Sequence, residues 1–97
     1  MKTIENKTVT LSRQGVVPIT ATYFEWIKAA IEFKPQGSMK IDDVRFGVKI
    51  YDIIDANPNT IQIEDADFEK VKKGVNDMNW TVIDKTIVEF VDYINGL

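Results

Sequence analysis

The chain has 97 residues, 44% of them hydrophobic and 28% charged, which fits one soluble domain with a single core, residues 1–97. It contains no cysteine and no histidine, so disulfides, thiolate or imidazole metal sites, haem ligation and Ser-His-Asp or Cys-His nucleophiles are excluded, and no cofactor is expected. Twelve basic residues against 15 acidic ones give a net charge of −3, with only Arg13 and Arg45 supplying guanidinium groups; this is not the basic footprint of a nucleic-acid binder.

The first residues are polar after Met1-Lys2, so no secretory leader is expected, and residues 1–6 are expected to be flexible. No apolar run approaches the ~20 residues that a membrane span requires. The alternation Thr8-Val9-Thr10-Leu11-Ser12 predicts a strand with Val9 and Leu11 on one face. Arg13-Gln14-Gly15 turns the chain, and Pro18 keeps Val17 out of the helical region.

A helix capped by Thr20 or Thr22 is predicted to run to about Phe33, where Lys34-Pro35-Gln36-Gly37 stops it. Its apolar positions, from Tyr23 and Phe24 through Trp26, Ile27, Ala30, Ile31 and Phe33, cover about half the helix surface. Trp26 and Phe33 form one edge of that stripe, an edge that either reaches a second part of the core or meets a partner.

Residues 41–56 carry two signals. Val44, Phe46, Val48 and Ile50 alternate as in a strand, whereas Asp42, Arg45, Lys49 and Asp52 line one narrow stripe of a helix. The apolar pattern is too long for a typical strand, and Asp42 and Asp43 suit a helix start. The prediction is a largely buried helix.

Asn57-Pro58-Asn59 ends that helix, and Thr60-Ile61-Gln62-Ile63 alternates as a short strand. Asp65 is the expected cap of a third helix, whose stripe of Phe68, Val71, Val75 and Met78 is narrow enough to mark a surface cover. A corner at Asp77-Met78-Asn79-Trp80 follows, with Trp80 as its wedge. Asp84 caps and Gly96 ends a last helix with core positions Ile87, Phe90, Val91 and Ile94. The expected class is α+β and mostly helical, four helices with a small two-stranded β element in the order β-α-α-β-α-α. The first two helices are expected at the centre of the core.

Three patterns invite a chemical reading. Asp55-Ala56-Asn57-Pro58-Asn59 begins like a calcium loop, but Thr60 stands where the turn glycine belongs and Ala66 where the bidentate carboxylate belongs. Glu64, Asp65 and Asp67 could bind magnesium or form an acid–base pair, but helix capping explains the same residues. Lys70, Lys72 and Lys73 read as a solvated helix face, with Glu69 placed to pair with Lys72 or Lys73. No catalytic, cofactor or metal residue is assigned.

The segments Gly37-Ser38-Met39-Lys40-Ile41-Asp42-Asp43-Val44-Arg45, Glu64-Asp65-Ala66-Asp67-Phe68, Met78-Asn79-Trp80 and Ile87-Val88-Glu89-Phe90-Val91-Asp92 resemble small proteins encoded by tailed bacteriophages and prophages. They cover under half the chain and consist of caps and core positions. The resemblance implies a phage setting, in the host cytoplasm or the virion, and brings no catalytic residues. Taken with the missing nucleophiles and ligands, the expected function is a non-enzymatic protein–protein interaction module in virion assembly or structure, not an enzyme. The alternative is a small acidic regulator or inhibitor of a host protein. Expected partners are another protein or a second copy of the chain, a possible homo-oligomer, with no nucleic acid and no membrane. Trp26, Phe33 and Trp80 are the candidate contact residues.

Overall fold

The computed structural model describes residues 1–11, 19–32, 39–80 and 83–97. The elements are β1 (Lys2–Glu5), β2 (Thr8–Leu11), β3 (Ile19–Thr22), α1 (Tyr23–Glu32), α2 (Ile41–Ala56), β4 (Thr60–Ile63), α3 (Asp65–Asp77) and α4 (Lys85–Asn95). The class is α+β and mostly helical, with four helices as expected. The strand content is larger than the sequence suggests, because there are two antiparallel pairs, β1 with β4 and β2 with β3.

Residues 2–5 are therefore an ordered strand, not a flexible start. Ile4 pairs with Ile61 in register and is fully buried, as are Ile61 and Ile63 opposite. The alternation of β4 puts both isoleucines on the core face and Gln62 outside. In the second pair Val9 opposes Ala21, both buried, while Thr8 opposes Thr22 and Thr10 opposes Thr20 on the other face.

Asn6 joins the two strand pairs to the first helix. Its backbone N–H donates to Asn59 O at 2.8 Å and its side-chain Nδ2 to Pro58 O at 2.8 Å. Its Oδ1 accepts from Phe24 N at 3.0 Å, at the start of α1. Thr22 completes that start as a capping box: its Oγ1 accepts from Glu25 N, and Glu25 Oε2 accepts from Thr22 N.

α1 is the hub of the helical layer, with Tyr23, Phe24, Ile27, Ala30 and Ile31 buried. α3 lies along it, with Phe68, Val71 and Val75 buried despite its narrow stripe. The approach is close where Gly74 meets Ala30; a Cβ at Gly74 would lie 3.2 Å from the Ala30 carbonyl oxygen. The cap of α3 is Glu64 rather than Asp65, which occupies the first helical position. α4 begins with Asp84 accepting from Thr86 N at 2.8 Å, as its sequence predicts, and ends at Gly96. The turn at 57–60 is held by Asn57 Oδ1, which accepts from Asn59 N and Thr60 N.

α2 departs from its expected burial. It is a helix, but only Ile50 and Ile54 are buried along its length. α2 packs on α1 and β4 through that one face, and among the described residues no second layer covers the opposite side. Its outer apolar residues are therefore in water, and α2 is not central to the core. Phe33 with the expected stop of the first helix, Arg13-Gln14-Gly15 with Pro18, and Thr81-Val82 lie outside the described residues.

Candidate interaction surface

Two regions hold the apolar side chains that could meet a partner. The first is an aromatic corner. Trp26 of α1 and Trp80, beyond the end of α3, are far apart in sequence, yet their ring centroids lie 5.9 Å apart in an edge-on arrangement. Phe90 of α4 sits between them at 5.2 Å from Trp26 and 6.1 Å from Trp80. Tyr23 packs on Phe90 at 4.8 Å and on Tyr93 at 5.6 Å. The Tyr93 hydroxyl accepts from Glu5 N at 2.9 Å, tying α4 to β1.

Phe90 is completely buried, and both tryptophans are half-buried against the core. Edge-to-face ring geometry at these separations favours the cluster beyond its area alone. Burial raises the Tyr23 phenol above its ordinary 10.0, with Glu89 and Tyr93 adding to the rise. Two of the three contact residues read from the sequence, Trp26 and Trp80, are thus brought together, each with most of its ring against its own chain.

The second region is the outer face of α2. Ile41, Val44 and Val48, at i, i+3 and i+7, are 63%, 43% and 54% exposed, and Met39 just before the helix is 41% exposed. Arg45 and Asp52 border this stripe on one flank. Arg45 is 4.0 Å from Asp42, both highly exposed, so that ion pair is loose. No cation lies within 4.0 Å of Asp52 among the described residues. On the other border the Tyr51 hydroxyl donates to the Glu32 carboxylate, and at the C-terminal end of the stripe Lys28 meets Asp55 at 2.9 Å. Burial, then the Glu32 hydrogen bond and the charges of Glu32 and Asp55, push the Tyr51 phenol well above 10.0. The sequence reading placed these apolar residues in the core because their spacing matches a core helix; residue type and spacing do not show that the facing layer is missing.

Other candidates have intrachain partners. Asp65 meets the N-terminal amine at 2.8 Å, which lowers its carboxyl below the usual range. Asp67 Oδ2, out of solvent and otherwise without a donor, meets Lys49 Nζ at 2.6 Å, and that contact raises the Lys49 ammonium. The acidic cluster at the start of α3 therefore points to separate cations and not to one ligand, and among the described residues no three acidic side chains converge as a metal site. Lys73 pairs with Asp77 instead of Glu69, and Lys70 lies 5.2 Å from the centre of the Phe46 ring. A cleft of about 280 Å³ borders Asn6, Thr22, Glu25, Lys28 and Asp55, whose side chains already bond within the chain. Ile19, Ile83 and Val88 are also exposed, each apart from the α2 run, and Ile19 and Ile83 adjoin residues outside the described set. Among the described residues no helix is long and apolar enough to cross a membrane. No protein-family model, no curated protein and no solved structure matches this chain.

Proposed function

We propose that the chain is a non-enzymatic protein-interaction module, phage-encoded and acting in virion assembly or as a structural component, with the outer face of α2 as its contact surface. The observation that carries this reading is the run Met39, Ile41, Val44 and Val48, all exposed on or beside one helix. Single exposed apolar residues are ordinary, but a contiguous run bordered by charges marks a surface that another molecule covers. The phage setting rests on the sequence resemblance. The half-buried tryptophans are the alternative contact site, and they require a partner to bind over a cluster already packed on itself.

The test is co-purification of tagged chain, at native level in its own cells, against a triple variant Ile41→Ser, Val44→Ser and Val48→Ser. The reading expects the wild type to retain a specific protein, which can be an untagged copy of itself, and the folded variant to lose it. An identical set retained by both would overturn it.

A further inference from the structure

We infer that the outer face of α2 docks antiparallel on the same face of a second copy, with Val48 at the two-fold centre and Arg45 of each copy against the partner's Asp52. This rests on the reading of α2 as the contact surface and adds the identity of the occupant. A two-fold contact must be complementary to itself, and the charges bordering the stripe meet that condition. At about 100° per residue, Arg45 and Asp52 lie roughly 60° and 40° round from Val48 on the same flank. Arg45 is about 4.5 Å before Val48 along the axis and Asp52 about 6 Å beyond it.

In an antiparallel pair related by a two-fold axis, each flank faces its own counterpart. One flank therefore brings Arg45 to the level of the partner's Asp52, and the symmetry repeats the contact with the roles exchanged. Both groups are available, because Arg45 has only its loose contact with Asp42 and Asp52 has no cation partner among the described residues. Val48 meets its own counterpart at the centre, and Val44 faces the partner's Tyr51. Helices cross at an angle and diverge from the centre, which leaves Ile41 and the Lys28–Asp55 pair at the rim. A surface built for a purely basic or purely acidic partner would carry one sign along this flank; here both signs occur seven residues apart.

The test is sedimentation equilibrium on full-length chain with two charge reversals, Arg45→Asp and Asp52→Arg, each checked for native helicity by circular dichroism. Wild type should form a dimer, and each variant alone should dimerise at least about tenfold more weakly, because each faces two like-charge contacts. An equimolar mixture of the two variants should recover dimer near wild-type strength, since Asp at 45 then faces Arg at 52 and Asp52 faces Arg45. A wild-type chain that stays at 11.1 kDa up to ~1 mM overturns self-docking. If that monomer still retains a different protein through Ile41, Val44 and Val48 in co-purification, the face belongs to that protein and the contact-surface reading stands without the second copy. A dimer indifferent to the reversals, or a mixture that does not recover, overturns the antiparallel register.

Discussion

The aromatic corner and the outer face of α2 both gather apolar side chains, yet one is packed and the other is wet. At the corner, α1, α4 and the residues after α3 converge, so Trp26, Trp80 and Phe90 find ring partners from three parts of the chain. α2 lies at the margin of the helical layer, and among the described residues nothing covers its outer face, so Ile50 and Ile54 are buried while Val44 and Val48 are not. A helix's apolar stripe thus records what must be covered, and topology decides whether the same chain does the covering. The proposed contact function rests on the stripe that the fold leaves open.

The sharpest way to break the contrast is Phe90→Ala. It removes a completely buried ring at the centre of the corner and should cost about 3–5 kcal/mol in urea unfolding; a loss below ~1 kcal/mol would mean that the corner is not core. Gly74→Ala should cost up to about 2 kcal/mol, because overpacking against the Ala30 carbonyl offsets the roughly 1 kcal/mol of helix propensity gained. Gly47→Ala, whose Cβ would meet Ile31 Cγ2 at an ordinary 3.5 Å, should instead stabilise by about 0.5–1 kcal/mol. Equal shifts in the two glycine variants would contradict the tighter α1–α3 approach.

A pH scan sharpens the border of the α2 face. Below its unfolded value of 10.0, Tyr51 is protonated in both folded and unfolded chains, so its contribution is complete there. Above that value the unfolded phenol ionises first, and stability falls as pH rises toward the raised folded value. Lys49 and Lys73, raised by Asp67 and Asp77, act in the same sense, with full contribution below 10.5 and loss above it. Tyr51→Phe should therefore show a smaller drop in urea midpoint between pH 9 and pH 11 than wild type. The smallest effect belongs to the open face itself: Val44→Ser and Val48→Ser should each change monomer stability by no more than about 0.5 kcal/mol. A larger loss in thermal or urea unfolding would show that these side chains are covered within one chain.

Much of the local structure is legible in the sequence, because caps and periods act over a few residues. Asp84, Gly96 and the Asn57-Pro58-Asn59 stop carry their signals locally, and helix length separates 41–56 from a strand. β1 is not legible in this way: Thr3-Ile4-Glu5 is too short and polar to declare itself, and its partner Ile61 comes from the far side of two helices. The meeting of Trp26 with Trp80 is equally non-local. Of the contact residues read from the sequence, Trp26 and Trp80 share one ring cluster, while the open stripe of α2 reads as core because Val44 and Val48 fit one.

The central claim, that the α2 face and not the aromatic corner is the contact surface, is most directly tested by following backbone amide and tryptophan indole NMR signals from ~20 µM to ~1 mM, a range that spans weak self-association. The account predicts concentration-dependent shifts clustered at residues 41–55, with the Trp26 and Trp80 indoles unmoved. Shifts centred on those indoles would contradict it, whereas no shift anywhere would overturn self-docking alone.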